Sequence, residues 1–324
     1  MTKIREGGSS PYIDDRRGSG GGHSGGIPGL GGSIGAGLPG LSGCGKSSLG
    51  VGGGGMAILL VLGALLLPKL FGGAGAATTA GATVPDQSQF DPSPVGAPED
   101  AGGNPADPSQ GGNVCDTETA QIVCGAVTDV NEFWAREFAR AGKRYPVAKT
   151  VFYSGSTQTA CGLGQAQTGP FYCPLDSLAY FDLDFLEQLQ TQFEATGDLA
   201  TQYIVAHEYG HHVQNVEGIS DKVRELQQRE PANANAYSVK LELQADCLAG
   251  IWAHDANERA LLEPGDIDEA LNAAAAVGDD RIQQETRGRV DPESFTHGSS
   301  AQRRTWFRRG YESGDSSECN TFAE

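Results

Sequence analysis

Twelve consecutive residues hold the densest chemistry in the chain: Tyr203-Ile-Val-Ala-His207-Glu208-Tyr-Gly-His211-His212-Val-Gln214. On an α-helix, residues four apart share a face and lie about 6 Å apart along the axis, so His207 and His211 can aim two imidazoles at one metal ion. Glu208 is turned about 100° from His207. That sets its carboxylate beside the ion rather than on it, where it can take a proton from water bound to the metal. His212 is turned by about the same angle from His211 and reads as structural. Taken alone, the pattern also fits an amphipathic helix with solvated histidines.

A catalytic zinc needs a third protein ligand and an open position. Leu241-Glu242-Leu-Gln-Ala-Asp246 supplies Glu242 as that ligand, and Asp246, four residues on, shares its helix face. A carboxylate there can accept the spare N–H of a ligand histidine and fix its orientation. The apolar neighbours Leu241, Leu243, Ala245, Cys247 and Leu248 argue against an exposed acidic edge. His254 lies about 18 Å along the same helix from Glu242, so the two cannot share one ion, and it reads as a surface or capping residue. His297, in Asp291-Pro-Glu-Ser-Phe-Thr-His297-Gly, precedes an Arg-rich helix with Trp306 and Phe307. It can either donate a hydrogen bond to the oxyanion of a tetrahedral intermediate or simply lead into that helix with no chemical task.

The elements that must position these side chains are mostly helical. Val127, Val130, Trp134, Phe138 and Ala141 recur at helical spacing, with Thr128 and Asp129 as candidate caps. Lys149–Tyr153 reads as a strand, and the segments 169–173 and 178–182 as a hairpin. Helices are expected over about 183–196, 199–216, 220–230, 233–257, 266–277 and 299–312, with Asp266 and Glu269 as a capping box. Strands first and helices afterwards predict an α+β domain, mainly helical, with a small sheet containing antiparallel strands.

Ahead of residues 113–324 the composition changes. Residues 1–51 are rich in Gly, Ser and Pro, which predicts a disordered segment. Within 52–71 the run Met56–Leu67, with its uncharged flanks, is just long enough to span the roughly 30 Å hydrocarbon layer as a single transmembrane helix. Residues 72–112 read as a flexible linker. Residues 1–82 hold six basic residues, five of them before the run, so the positive-inside rule places the N-terminus in the cytoplasm and 113–324 outside it. Gly40-Leu-Ser-Gly-Cys-Gly-Lys-Ser47 matches a phosphate-binding loop by spelling, but it follows no strand and opens no soluble helix, which excludes that role. His23 falls in the same Gly-rich segment. Residues 83–324 carry 17 basic and 38 acidic residues, a net of −21, which repels phosphates and excludes nucleic-acid binding. Of seven cysteines, six follow the run, an even number suited to an oxidising compartment. None forms a C-x-x-C pair of the zinc-ribbon kind, and six cysteines alone allow about fifteen connectivities.

Several segments together resemble a known family. Thr159-Ala-Cys-Gly162, Gly169-Pro-Phe-Tyr-Cys-Pro174, His207-Glu-Tyr-Gly-His-His-Val-Gln214, Leu241-Glu-Leu-Gln-Ala-Asp-Cys-Leu-Ala-Gly250, Glu263-Pro-Gly-Asp266 and Ser294-Phe-Thr-His-Gly298 are similar to those of the bacterial neutral zinc metallopeptidases, membrane-anchored proteins of the zincin type. The resemblance is loose over most of the chain and close over 113–324. It implies a zincin-like domain anchored in the bacterial cytoplasmic membrane by one transmembrane helix. It also implies one Zn2+ held by His207, His211 and Glu242, with Glu208 as catalytic acid/base. The Glu242-x-x-x-Asp246 arrangement is similar to that of gluzincins in the prenyl-protein protease group, which makes His297 similar to their transition-state histidine. The expected activity is hydrolysis of peptide bonds in extracytoplasmic proteins or peptides. One competing function is a non-catalytic zinc-bound interaction or assembly module at the envelope, which would gain nothing from Glu208; another is a zinc amidase acting on cell-wall peptide. The expected disulfides are Cys115–Cys124 and Cys161–Cys173, as nearest neighbours, and Cys247–Cys319, which would tie the Glu242 helix to the C-terminal tail and leave Cys44 free.

Overall fold

A cap decides where the first long helix begins. Helix α1, Glu118–Arg140, starts well before the expected caps at Thr128 and Asp129, because the Thr117 hydroxyl accepts the Ala120 N–H at 3.1 Å and Ala120, Ile122 and Val123 extend the buried stripe. The computed structural model describes residues 2–5, 7–18, 113–192 and 197–323. The described part of the N-terminal segment departs from the expected disorder. Ile13–Asp15 form strand β1, which pairs in parallel with β2, Lys149–Tyr153, with Ile13 opposite Thr150. Ile4 and Tyr12 find their apolar neighbours in the distant domain, which composition could not reveal.

The second sheet is a short antiparallel hairpin of β3, Ser156–Thr159, and β4, Gly162–Gln165, unmarked in the sequence because it holds little apolar surface. The expected hairpin at 169–182 is present as β5, Phe171–Cys173, and β6, Leu178–Asp182, paired antiparallel. Since β6 also pairs in parallel with β2, the main sheet is mixed, with strand order β1-β2-β6-β5.

The remaining helices are α2 (Leu183–Gln192), α3 (Asp198–Val216), α4 (Ile219–Arg229), α5 (Ala234–Glu258), α6 (Asp266–Ala276), α7 (Asp279–Arg287) and α8 (Ser300–Ser313). Helix α7 was not expected, and the capping box at Asp266 and Glu269 does not form. Asp266 instead accepts the Glu263 N–H, while Glu269 reaches across to the Leu199 N–H in the first turn of α3. The capping box lies at α8, where Ser299 and Gln302 each accept the other's N–H.

Tyr203, Tyr209, Trp252, Phe133, Phe152, Phe181 and Phe307 are fully or almost fully buried, and they make α3 and α5 central elements of one core. Two glycines let α8 lie directly on α5. A Cβ at Gly250 would stand 2.1 Å from the Phe307 carbonyl oxygen, and one at Gly310 would stand 2.0 Å from that of Cys247. Disulfides join Cys115 to Cys124, Cys161 to Cys173 and Cys247 to Cys319, the pairs expected from the sequence. Among the described residues no helix is long and apolar enough to cross a membrane. The expected span at 52–71, the linker at 72–112 and Cys44 all lie outside those residues.

Candidate metal centre

Helices α3 and α5 cross where Gly210 meets Ala245, and the residues on either side of that contact make the site. His207, His211 and Glu242 each offer one ligand atom, all within 4.8 Å of one another. The Nε2 of His207 stands 3.1 Å from Glu242 Oε2, and the Nε2 of His211 stands 3.4 Å from Glu242 Oε1. Both imidazoles therefore turn the same nitrogen towards one point. Glu242 is only 2 % exposed, yet its Oε1 has no properly directed hydrogen-bond donor. A buried carboxylate oxygen left so is costly. A cation held between it and the two Nε2 atoms would satisfy it, and two histidines with one glutamate form a donor set suited to catalytic zinc.

Each histidine is aimed by a partner at its other nitrogen. The Nδ1–H of His207 donates to Asp246 Oδ1 at 2.9 Å, which leaves the Nε2 lone pair for a metal. Asp246, fully buried, also accepts from the Tyr203 hydroxyl at 2.5 Å and from Arg303 through Nε at 2.8 Å and Nη2 at 2.9 Å. The Nδ1–H of His211 donates to Gln214 Oε1 at 2.8 Å. Gln214 in turn donates to the Leu241 carbonyl and to Gln244 Oε1, and Gln244 donates to the Cys319 carbonyl. Sequence reasoning assigned Asp246 but gave no role to Tyr203, Gln214 or Arg303. Tyr203 and Gln214 could have been found by helical spacing, being four residues before His207 and three after His211. Arg303 offers no such local signal.

Charge and burial oppose each other throughout the site. Burial pushes the Glu242 carboxyl up, but the His211 charge and the hydrogen bond with His207 hold it well below the usual carboxylate range. Asp246 is likewise lowered: burial raises it, and Arg303 with His207 outweighs that. For His207 burial disfavours the cation, yet Asp246 and Glu242 raise its pKa to about 9. Glu208 goes the other way. Burial pushes it above the usual range, and the His211 and His207 charges offset only part of that. A buried carboxylate so raised is the better proton acceptor once ionised.

His297 makes no hydrogen bond to the three ligand candidates, but its charge helps to lower Glu242. Its loop packs on α5 on both sides of Glu242, for a Cβ at Gly298 would lie 3.3 Å from both Val239 and Leu243. Asp279 shapes that loop: Oδ2 accepts the N–H groups of Thr296, His297 and Gly298, and Oδ1 lies 3.3 Å from His297 Nδ1. His212 is structural. Its Nε2–H donates to the Pro146 carbonyl, its Nδ1 accepts from the Tyr172 hydroxyl, and burial lowers its pKa. His254 donates to the Tyr311 carbonyl, away from the cluster, and so helps to fix α8 on α5.

Two helices that turn two imidazoles and a carboxylate to one point, with a second carboxylate beside them, have the site architecture of a zinc metallopeptidase. The chain belongs to the family described as "Putative neutral zinc metallopeptidase", which matches residues 2–322. It is similar to the uncharacterized protein YpfJ of Escherichia coli strain K12, with 50% identity over 208 residues that cover 64% of this chain and 72% of that protein. It is also similar to the uncharacterized protein Rv2575 of Mycobacterium tuberculosis strain H37Rv, with 50% identity over 182 residues, 53% of this chain and 61% of that one. No solved structure matches.

Proposed function

We propose that this protein hydrolyses peptide bonds in proteins or peptides outside the cytoplasm, with one zinc ion held by His207, His211 and Glu242. The observation that carries this reading is the convergence of three donors on one point, His207 and Glu242 buried and His211 partly so, with an unsatisfied Glu242 oxygen among them. Bound zinc would supply Lewis acidity, polarising the scissile carbonyl and making water more acidic. Glu208 accepts a proton from the attacking water and returns it to the departing amine, ending the cycle ionised as it began. Its raised pKa supports that task, which a purely structural zinc module would not need. His297, with Nδ1 turned to Thr296 and Asp279, presents its Nε2–H to the oxyanion as a hydrogen-bond donor. The three disulfides support a compartment that permits them, and the apolar run before the domain supports attachment to the cytoplasmic membrane.

The test is Glu208→Gln, measured for zinc stoichiometry and peptide hydrolysis beside wild type. The amide preserves size and leaves all three ligands in place but cannot take the proton. Zinc should stay bound while turnover falls by about 10²–10⁴-fold. Full activity in the variant would sink the reading. Stoichiometric zinc in a wild-type protein that cleaves no peptide would favour the non-catalytic module instead.

A further inference from the structure

The described N-terminal residues run across the metal-bearing domain and bond to it along most of their length. The Lys3 N–H donates to the Leu261 carbonyl. Ile4, 5 % exposed, belongs to the core. Arg5 grips Asp198, in the first turn of α3, through Nη2 at 2.7 Å and Nε at 3.1 Å. Gln202, fully buried on the same helix, donates its amide to Thr2 Oγ1 at 2.7 Å and to the Ile4 carbonyl at 2.8 Å. Farther on, the Cys115 N–H meets the Gly8 carbonyl, the Thr150 N–H meets the Tyr12 carbonyl, and the Arg16 N–H meets the Phe152 carbonyl. Arg17 pairs with Asp116 at 2.9 Å and covers the Phe152 ring. The slot is shaped for this segment, since a Cβ at Gly125 would lie 2.7 Å from Arg5 Cα.

Without the segment, the buried Gln202 amide would lose both acceptors, β2 would lose its outer neighbour, and the place of Ile4 would open to water. Such losses mark an integral strand rather than a tail. We infer that the described residues of 2–18 are a built-in part of the metal-bearing domain, seated in their own chain's slot, so that they and residues 113–323 lie on the same side of the membrane. Paired strands lie about 4.8 Å apart. One crossing by the apolar run, with the N-terminus in the cytoplasm and the domain outside, would instead put the roughly 30 Å hydrocarbon layer between β1 and β2. That replaces the single-pass arrangement expected from the basic residues. The inference holds whether or not the domain is a peptidase.

The test uses the full chain in bacterial cells, with Cys44→Ser to remove the expected free thiol. Ser9→Cys and Ser317→Cys, both at exposed positions, are made separately and treated with a membrane-impermeant maleimide on intact spheroplasts and after lysis. Equal intact-to-lysed labelling for the two sites is the expected result, whichever side that proves to be. Labelling of Ser317→Cys in intact spheroplasts with Ser9→Cys reached only after lysis would overturn the inference. The purified full chain gives a second reading. Arg5→Ala should lower Tm by roughly 4 °C or more while zinc stoichiometry is unchanged. An unmoved Tm would show that the slot is not held by this segment, and would equally overturn the inference.

Discussion

The ligand cluster on α3 and α5 and the loop that carries His297 are built by opposite means. In the cluster, side chains on two long helices are held by other side chains: His207 by Asp246, Asp246 by Arg303 and Tyr203, His211 by Gln214. In the loop, three consecutive backbone N–H groups converge on the single carboxylate of Asp279, at 2.7, 2.6 and 3.0 Å. A helix fixes directions by its period, whereas a loop has no period and takes its shape from whatever satisfies its backbone. The helix-borne half should therefore resist displacement and lose much energy when its charges are unpaired. The loop half depends on one residue, and its failure should show first in position.

The largest effect tests the first half. Arg303 and Asp246 are both almost wholly buried, so Arg303→Met would leave a buried carboxylate with its main positive partner gone. Breaking such a pair costs about 3–5 kcal/mol, which urea unfolding of the variant should register. The double variant Asp246→Asn with Arg303→Met should recover part of the loss, because no unpaired charge remains. A loss below about 1 kcal/mol in Arg303→Met would mean that the charged partners do not over-determine this half.

Asp279→Asn tests the second half and should cost less, about 1.5–3 kcal/mol at neutral pH, the range for hydrogen bonds to a charged group. Burial alone would raise the Asp279 carboxyl, but His297 and the loop N–H groups hold it below its ordinary value. A carboxyl lowered on folding contributes stability that is present above the unfolded pKa of about 3.9 and is lost as pH falls through the folded value. The stability gap between wild type and Asp279→Asn should therefore narrow below about pH 4. A gap that stayed constant down to about pH 3 would deny the carboxylate this role. Zinc stoichiometry should be unchanged, since no ligand touches Asp279, while hydrolysis should fall as His297 loses its direction.

The same contrast explains what could be read from the sequence. His207 with His211, and Glu242 with Asp246, stand four residues apart, so helical geometry alone brings each pair to one face. Arg303 was beyond that logic. It lies 57 residues from Asp246, in a helix that also offers Arg304, Arg308 and Arg309. It is the packing of α8 on α5, close at Gly250 and Gly310, that brings Arg303 to Asp246. Asp279 was hidden because α7, Asp279–Arg287, has a single large apolar residue, Ile282, and so no visible period. Strand β1 was hidden for another reason. It has three residues, its partner strand begins at Lys149, and the glycine-rich composition after it dominates any local reading.

The smallest effect sharpens the comparison within the cluster itself. His207 is aimed by a carboxylate that is itself held by an arginine, but His211 is aimed by the neutral amide of Gln214. A neutral partner directs the ring without adding charge, so its removal unpairs no ion. Gln214→Leu keeps most of the volume and breaks three bonds: the one from His211, and those to the Leu241 carbonyl and Gln244. Each accepts or donates at the uncharged Gln214 amide and is worth about 0.5–1.5 kcal/mol net, and the apolar replacement recovers part of that by burial. The net loss of stability should come to about 1 kcal/mol. Zinc affinity should fall by about tenfold, the lower end for loss of a residue that orients a ligand histidine. Asp246→Asn, which removes the charged partner of His207, should weaken zinc more, towards about 100-fold. Competition against a fluorescent zinc chelator measures both variants directly. Equal losses in the two would show that orientation alone matters and that the charge on Asp246 adds nothing.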